Sequence, residues 1–181
     1  MIVLVDGPSG SGKTTLAIRL GTLLRLPVIH MDDFYPGWSG LAAGSDIIAT
    51  SVLTTTDPGY YRWDWANDRA GEWVPVPPGA KIIEGAGAVT AETLRAASIS
   101  DHRVAAIMLT GEATTRYRRA MRRDPYYEPY WEMWSEQEKR HYAVQSQGLG
   151  DLVPTLWIDT TGLDAGQVVR RAYDFITYYV E

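Results

Sequence analysis

The 181-residue chain has no cysteine, so a disulfide, a zinc–thiolate centre and a thiol nucleophile are all excluded. Its three histidines, His30, His102 and His141, stand at no metal-ligand spacing, so no structural metal is expected. Lysine is confined to positions 13, 81 and 139, and the formal net charge is -5. That balance excludes a broad nucleic-acid-binding face and leaves room for a local basic site. No apolar run approaches the ~18 residues of a transmembrane helix. Met1 to Val5 lacks the basic flank and the length of a signal segment, so no membrane association and a cytoplasmic protein are expected. Phenylalanine is almost missing, with 2 residues, against 7 Trp and 11 Tyr. Trp and Tyr join an apolar ring to a polar tip, so their excess points to a site as well as to a core.

What remains is an ordinary globular composition, 45% hydrophobic and 22% charged, at the length of one domain. There is no internal repeat. Strand and helix signals alternate. Ile2-Val3-Leu4-Val5 is a short β-branched run suited to a strand buried on both faces. Thr14 to Leu24 carries leucines at a helical spacing. Pro27 to His30 reads as a second strand, and Asp46 to Leu53 as a helix capped by Ser45. Asp57 to Gly79, rich in Pro, Gly and Trp, reads as a long irregular loop of the kind that is usually functional. Lys81 to Glu84, Val104 to Leu109 and Thr155 to Ile158 are three further strands. Helices are expected over Thr90 to Ala97, Glu112 to Arg123, Pro129 to about Gln147, and Asp164 to Tyr179 with Asp164 as cap. The alternation predicts an α/β fold around a five-stranded, mainly parallel sheet.

Gly7-Pro8-Ser9-Gly10-Ser11-Gly12-Lys13-Thr14 fits G-x-x-x-x-G-K-[ST] without a mismatch, between a predicted strand and a predicted helix. Glycines let successive N–H groups converge on one anion, and the helix start adds its positive dipole end. A nucleoside triphosphate with Mg²⁺ is the expected ligand. Gly7, Ser9, Gly10, Ser11, Gly12, Lys13, Thr14 and Thr15 form the phosphate cradle; Lys13 is expected on the β- and γ-phosphates and the Thr14 hydroxyl on Mg²⁺. No NKxD sequence occurs, which argues against guanine recognition of the GTPase kind.

Asp32 and Asp33 follow the second strand, where open α/β sheets place ligands. A carboxylate there can take the proton of an acceptor hydroxyl or hold Mg²⁺ through water. Adjacent side chains on extended backbone diverge, so one acid is expected in the site and one outside it; a helix cap or a solvated turn is the alternative for the pair. Glu84 ends a buried strand before Gly85, a second candidate for Mg²⁺ or its water. Arg62, Asp64 and Arg69 among tryptophans suggest a flat, hydrogen-bonding pocket, against which stands a Trp-stabilised surface loop. Five arginines lie between 116 and 123, with Arg116, Arg119 and Arg123 on one helical face. Arg119 or Arg123 is expected to reach the transferring phosphoryl group, although arginine is simply this chain's usual cation. Pro125 then breaks the helix. Trp131, Trp134 and Glu138 share a face, as a core stripe or a pocket wall.

The phosphate loop, Asp32-Asp33-Phe34-Tyr35, the strand ending Glu84-Gly85 and the helix ending Arg123-Asp124 together resemble the uridine kinase/phosphoribulokinase group of small-molecule kinases. Met31 to Trp38, Arg62-Trp63-Asp64-Trp65, Glu72-Trp73 and Trp131-Glu132-Met133-Trp134 are similar to stretches of the short actinobacterial uridine kinase-like ATP-binding proteins. The resemblance covers nearly the whole chain. It implies ATP as the nucleotide and a three-layer αβα P-loop domain over 1–181, with an acceptor-side insertion at about 34–79 and an Arg-rich helical lid at about 116–130. It gives Asp32 the role of catalytic base, sets Tyr35 near the acceptor, Trp63-Asp64-Trp65 in the nucleoside pocket, Glu84 beside the metal and acceptor, and the loop after Asp159 against the adenine. True uridine kinases follow the pocket motif with a His and an Arg, whereas Ala66-Asn67-Asp68-Arg69 keeps only the Arg. A kinase of a nucleoside-like hydroxyl acceptor is therefore expected, with a kinase of a sugar or other metabolite and a nucleotide-binding regulatory protein left open. A homodimer is compatible with the sequence.

Overall fold

The computed structural model describes residues 1–99, 102–145 and 152–180. In chain order the elements are β1 (Ile2–Asp6), α1 (Lys13–Leu24), β2 (Val28–His30), α2 (Leu41–Ile47), β3 (Gly59–Asp64), β4 (Arg69–Pro75), β5 (Lys81–Glu84), α3 (Ala91–Ile99), β6 (Val104–Thr110), α4 (Ala113–Arg123), α5 (Trp131–Gln145), β7 (Thr155–Asp159) and α6 (Ala165–Val180). Five strands form one parallel sheet in the order β2-β5-β1-β6-β7.

β1 lies at the centre and all five of its residues are buried, which suits its apolar run Ile2 to Val5. Its pleat divides the core. Val3 and Val5 face Leu16 and Leu20 of α1 with Val168, Ala172 and Ile176 of α6. Ile2 and Leu4 face the opposite layer, which holds Leu41 of α2, Leu94 of α3 and Trp134 of α5. Helices on both faces of a parallel sheet make the three-layer α/β architecture expected from the alternation.

Three expectations change. The second helix begins at Leu41, well before Asp46, and runs on through a π-helical turn, Ile48–Val52. Leu41, Gly44, Ser45, Ile48 and Val52 are its buried stripe, at helical spacing. Ser45 is therefore no cap; its hydroxyl donates to the Gly87 carbonyl at 2.8 Å. Most of the 57–79 stretch is not irregular but a hairpin, β3–β4, whose register shifts between Tyr61 and Trp63. That bulge interrupts the alternation that would have announced two strands. The helix placed at Pro129 starts at Trp131, after a 3-10 stretch over Pro125–Tyr130; its expected last residues, 146–147, lie outside the described residues. Asp164 does cap α6. Its carboxylate accepts from the Gln167 N–H at 2.9 Å while Gln167 Oε1 accepts from the Asp164 N–H at 3.0 Å, a reciprocal box.

Candidate active site

Parallel pairing puts the carboxyl ends of all five strands at one edge, which gathers Asp6, His30, Glu84, Thr110 and Asp159. Asp6 ends β1 fully buried and anchors the edge. One of its oxygens accepts from the N–H groups of Gly7 (2.6 Å) and Gly87 (2.9 Å) and from the Tyr142 hydroxyl (2.7 Å). The other accepts from the Val89 N–H at 2.8 Å. It thus ties the phosphate loop to the segment after β5 and to α5.

The loop from Gly7 then turns into α1. Gly12, at the cap position, has φ 99°, a left-handed conformation that favours glycine, and it offers no side-chain cap to the first helical N–H groups. Those donors and the positive dipole end face a cleft of about 1010 Å³, lined by Ser9 through Thr15. Gly10 is also left-handed, at φ 76°, and is needed for a second reason: a Cβ there would lie 2.8 Å from the Arg116 Cα, so the crown of the loop packs on the backbone of α4. Lys13 folds back and donates to the Pro8 carbonyl at 3.3 Å. The Ser11 hydroxyl is buried with no hydrogen-bond partner. The N–H groups of Ser9 and Ser11, expected in the cradle, are already taken, by Glu138 at 2.7 Å and by the Pro8 carbonyl at 3.1 Å, so the donors left for a phosphate are those that open α1, with the orphaned hydroxyl beside them.

Asp32 sits in a 3-10 turn after β2 and lines the same cleft, while Asp33 turns away and accepts from the Tyr60 hydroxyl at 3.2 Å. One acid lines the cleft and one lies outside it, as expected, but a 3-10 turn and not extended backbone sets the two side chains apart. Asp32 is open to the cleft, yet the surrounding low-dielectric walls raise its carboxyl above the usual range, the Glu84 charge adds to this, and Lys13, Arg123 and His30 oppose it. Glu84 is buried at the end of β5 and bonds His30 Nδ1 at 2.6 Å. That bond raises His30, helped by the Glu84, Asp33 and Asp32 charges and opposed by burial.

The remaining predicted residues divide. Tyr35 reaches the cleft with its ring only, because its hydroxyl donates to the Ala86 carbonyl at 2.8 Å. Trp65 lines the cleft, and its Nε1 donates to the Asp32 backbone oxygen at 3.0 Å. Arg62, Trp63, Asp64 and Arg69 do not line it. Arg62 pairs with Glu72 across the hairpin at 3.5 Å. Asp64 accepts from the N–H groups of Ala66 and Asn67 and from the Asn67 amide, which hold its carboxyl below the usual range, and Arg69 approaches it at 3.9 Å. Of Arg62-Trp63-Asp64-Trp65 only Trp65 lines the cleft: Asp64 closes the hairpin turn, and the Trp63 indole N–H is buried with no hydrogen-bond partner. Asp159 likewise turns outward to accept from the Thr161 N–H and hydroxyl; the next residue, Thr160, lines the cleft instead.

In the arginine helix, Arg119 lines the cleft but forks onto Thr160, to Oγ1 at 2.9 Å and to the carbonyl at 2.8 Å. Arg122 and Arg123 also line the cleft and make no ion pair among the described residues. The rings opposite the phosphate loop form an aromatic wall, in which the sequence names Trp65 for the pocket and leaves Trp134 between core stripe and pocket wall. Trp38 stacks on Tyr130 (centroids 3.9 Å, 4° between planes) and approaches Tyr127, Trp65 and Trp134 at 5.8, 5.0 and 6.3 Å. All five rings line the cleft. The signal for it was the crowding of Trp and Tyr into two stretches of the chain.

For Mg²⁺ the donors are suitable: the Thr14 hydroxyl and the Asp32 and Glu84 carboxylates are hard oxygens beside an anion cradle. Among the described residues no group of three or more His, Cys, Asp and Glu forms a cage. Such a set suits an ion that takes most of its ligands from phosphate and water.

No protein-family model matches the chain, and no curated protein matches its sequence. Solved structures do match in fold. A sugar kinase from Janibacter sp. superposes with a TM-score of 0.62 at 17% identity, over 97% of this chain and 94% of that one. Shikimate kinase from Acinetobacter baumannii, solved with shikimate, gives 0.58 at 15% identity, over 98% and 93%. A protein described as a possible uridine kinase from Bacillus stearothermophilus gives 0.51 at 17% identity, over 86% and 88%. Near-complete coverage in both directions shows that this chain has the fold of P-loop small-molecule kinases.

Proposed function

We propose that this chain is an ATP-dependent phosphotransferase that moves the γ-phosphate to a hydroxyl of a small, nucleoside-like acceptor. The observation that carries the reading is the placement of one free carboxylate, Asp32, in the same cleft as a complete phosphate loop. A pure nucleotide binder would use a carboxylate there only for Mg²⁺, a place that Glu84 can fill. The cleft, at about 1010 Å³, is at the top of the ~300–1,000 Å³ span of single small-molecule sites, which leaves room for two reactants.

In this reading the amides that open α1 and Lys13 hold the triphosphate. Thr14, with Asp32 or Glu84, would hold Mg²⁺, which when bound neutralises phosphate charge. Asp32 takes the proton of the acceptor hydroxyl as its oxygen bonds to the γ-phosphorus; the bond from that phosphorus to the bridging oxygen breaks, and ADP leaves with the electron pair. A carboxyl raised above its usual range is a better base. Arg123, unpaired beside Asp32, offers its guanidinium to the transferring oxygens, and Arg119 is held in place for the same charge. The aromatic wall of Trp38, Trp65 and Tyr130 supplies apolar surface for a ring-bearing acceptor. The hairpin region is the acceptor-side insertion of a single kinase domain, and α4 with the turn to residue 130 is its lid.

A sugar or another metabolite as acceptor is the second reading. It is favoured by the exclusion of Trp63, Asp64 and Arg69 from the cleft, since these are the groups that the resemblance gives to the nucleoside. The test is ADP release from ATP and Mg²⁺ with panels of nucleosides, sugars and other alcohols. Stimulation by one class identifies the acceptor; ATP binding with no stimulation by any class would favour a regulatory binder.

A further inference from the structure

Every polar group of Ser9, the third residue of the phosphate loop, is held by the two helices that follow β6. The Ser9 N–H and hydroxyl both donate to Glu138 Oε1 of α5, each at 2.7 Å. The Ser9 carbonyl accepts from Arg116 of α4 at 2.9 Å. Tyr127, between the helices, brings its hydroxyl to 3.1 Å from the Ser9 hydroxyl. The holders are themselves fixed. Arg116 also donates to the Gly111 carbonyl at 3.0 Å, approaches Glu138 Oε2 at 3.9 Å and lies over the Trp131 ring. Glu138 is 2% exposed and does not line the cleft, so it grips the loop from behind rather than occupying the phosphate site.

A carboxylate so close to an anion-binding loop is electrostatically unhelpful to a polyphosphate, and burial raises its carboxyl against the pull of Lys13, Ser9 and Arg116. Its presence calls for a compensating gain, and two short bonds to one loop residue supply it. We infer that Glu138 and Arg116 are positioning residues that fix the shape of the phosphate loop through Ser9, so that the α4–α5 pair sets nucleotide affinity without touching the nucleotide. The inference rests on the reading of this cleft as an ATP site.

The test is calorimetric titration of ATP with Mg²⁺, without acceptor, into the full chain and three variants. Glu138→Gln keeps an oxygen for the Ser9 N–H and hydroxyl and removes the charge; its affinity should stay within about threefold of the parent or improve. Glu138→Ala should weaken binding by about tenfold, equivalent to about 1.4 kcal/mol. Ser9→Ala removes only the hydroxyl and should cost about threefold, which keeps the test readable if Glu138→Ala does not fold. A structural role alone would lower the melting temperature of Glu138→Ala while folded protein bound ATP like the parent, and that result overturns the inference. Equal weakening in Glu138→Gln and Glu138→Ala would overturn it too, since charge rather than grip would then matter. A parent that does not bind ATP would overturn the ATP-site reading itself, a result distinct from parent-like binding in all three variants.

Discussion

Asp6→Asn should destabilise the fold far more than its single-atom change suggests. Asp6 serves four donors: three N–H groups and the Tyr142 hydroxyl. An asparagine can keep its carbonyl oxygen on Gly7, Gly87 and Tyr142, but its NH₂ then faces the Val89 N–H. One buried donor loses its partner, at about 1–3 kcal/mol, and three bonds fall from charged to neutral strength, at up to about 1 kcal/mol each. The neutral side chain is cheaper to bury, which returns part of this, so we expect a net loss of about 3 kcal/mol. Against a total stability of about 5–15 kcal/mol that is a large fraction. At about 2–4 °C per kcal/mol for a chain of this size, the melting temperature should fall by about 6–12 °C. Urea unfolding followed by tryptophan fluorescence reads it, with Tyr142→Phe, which removes one donor of the four, as a comparator at about 1 kcal/mol. If Asp6→Asn lost no more than Tyr142→Phe, Asp6 would not be the anchor of this edge.

The two cleft arginines should separate: Arg123→Ala should lower kcat by about tenfold to a hundredfold with little change in melting temperature. Arg119→Ala, which also breaks the fork onto Thr160, should lower kcat and stability together. Arg62→Ala and Arg69→Ala, on the hairpin outside the cleft, should leave KM for the acceptor within about twofold of the parent, and a larger rise would return the hairpin to the pocket. Burial holds the His141 imidazole below its usual range, opposed by Asp6, so the fold prefers it neutral. Its contribution is therefore complete above about pH 6.5 and is lost as the pH falls below that value. His141→Gln should show a smaller drop in urea midpoint between pH 7.5 and 5.5 than the parent, whereas parallel slopes would contradict the assignment.

Much of this architecture is legible because the parallel strands are buried on both faces: β1 and β6 read as unbroken apolar runs and sit where the sequence places them. The split between Asp32 and Asp33 was legible too, although a 3-10 turn and not extended backbone produces it. The hairpin was not, because a bulge and a density of Pro, Gly and Trp conceal a period of two. Nor could spacing tell which arginines are free. Arg116, Arg119 and Arg123 share a face, but Arg116 goes to Ser9 and Arg119 to Thr160, partners 107 and 41 residues away. The clasp of Glu138 on Ser9 spans 129 residues, and helical spacing shows only that Glu138 is on the buried stripe. The crowding of Trp and Tyr pointed to rings that do line the cleft, while the ring contacts of Trp38 follow from the packing of α5 and the turn before it.

In the proposed reaction Asp32 is the base, in a cleft that binds ATP without needing its charge. The most direct test measures ATP affinity and acceptor-stimulated ADP release side by side for the parent and Asp32→Asn. Parent-like ATP affinity with turnover reduced by at least about a hundredfold is the predicted result. Full turnover in Asp32→Asn on the same acceptor would contradict it.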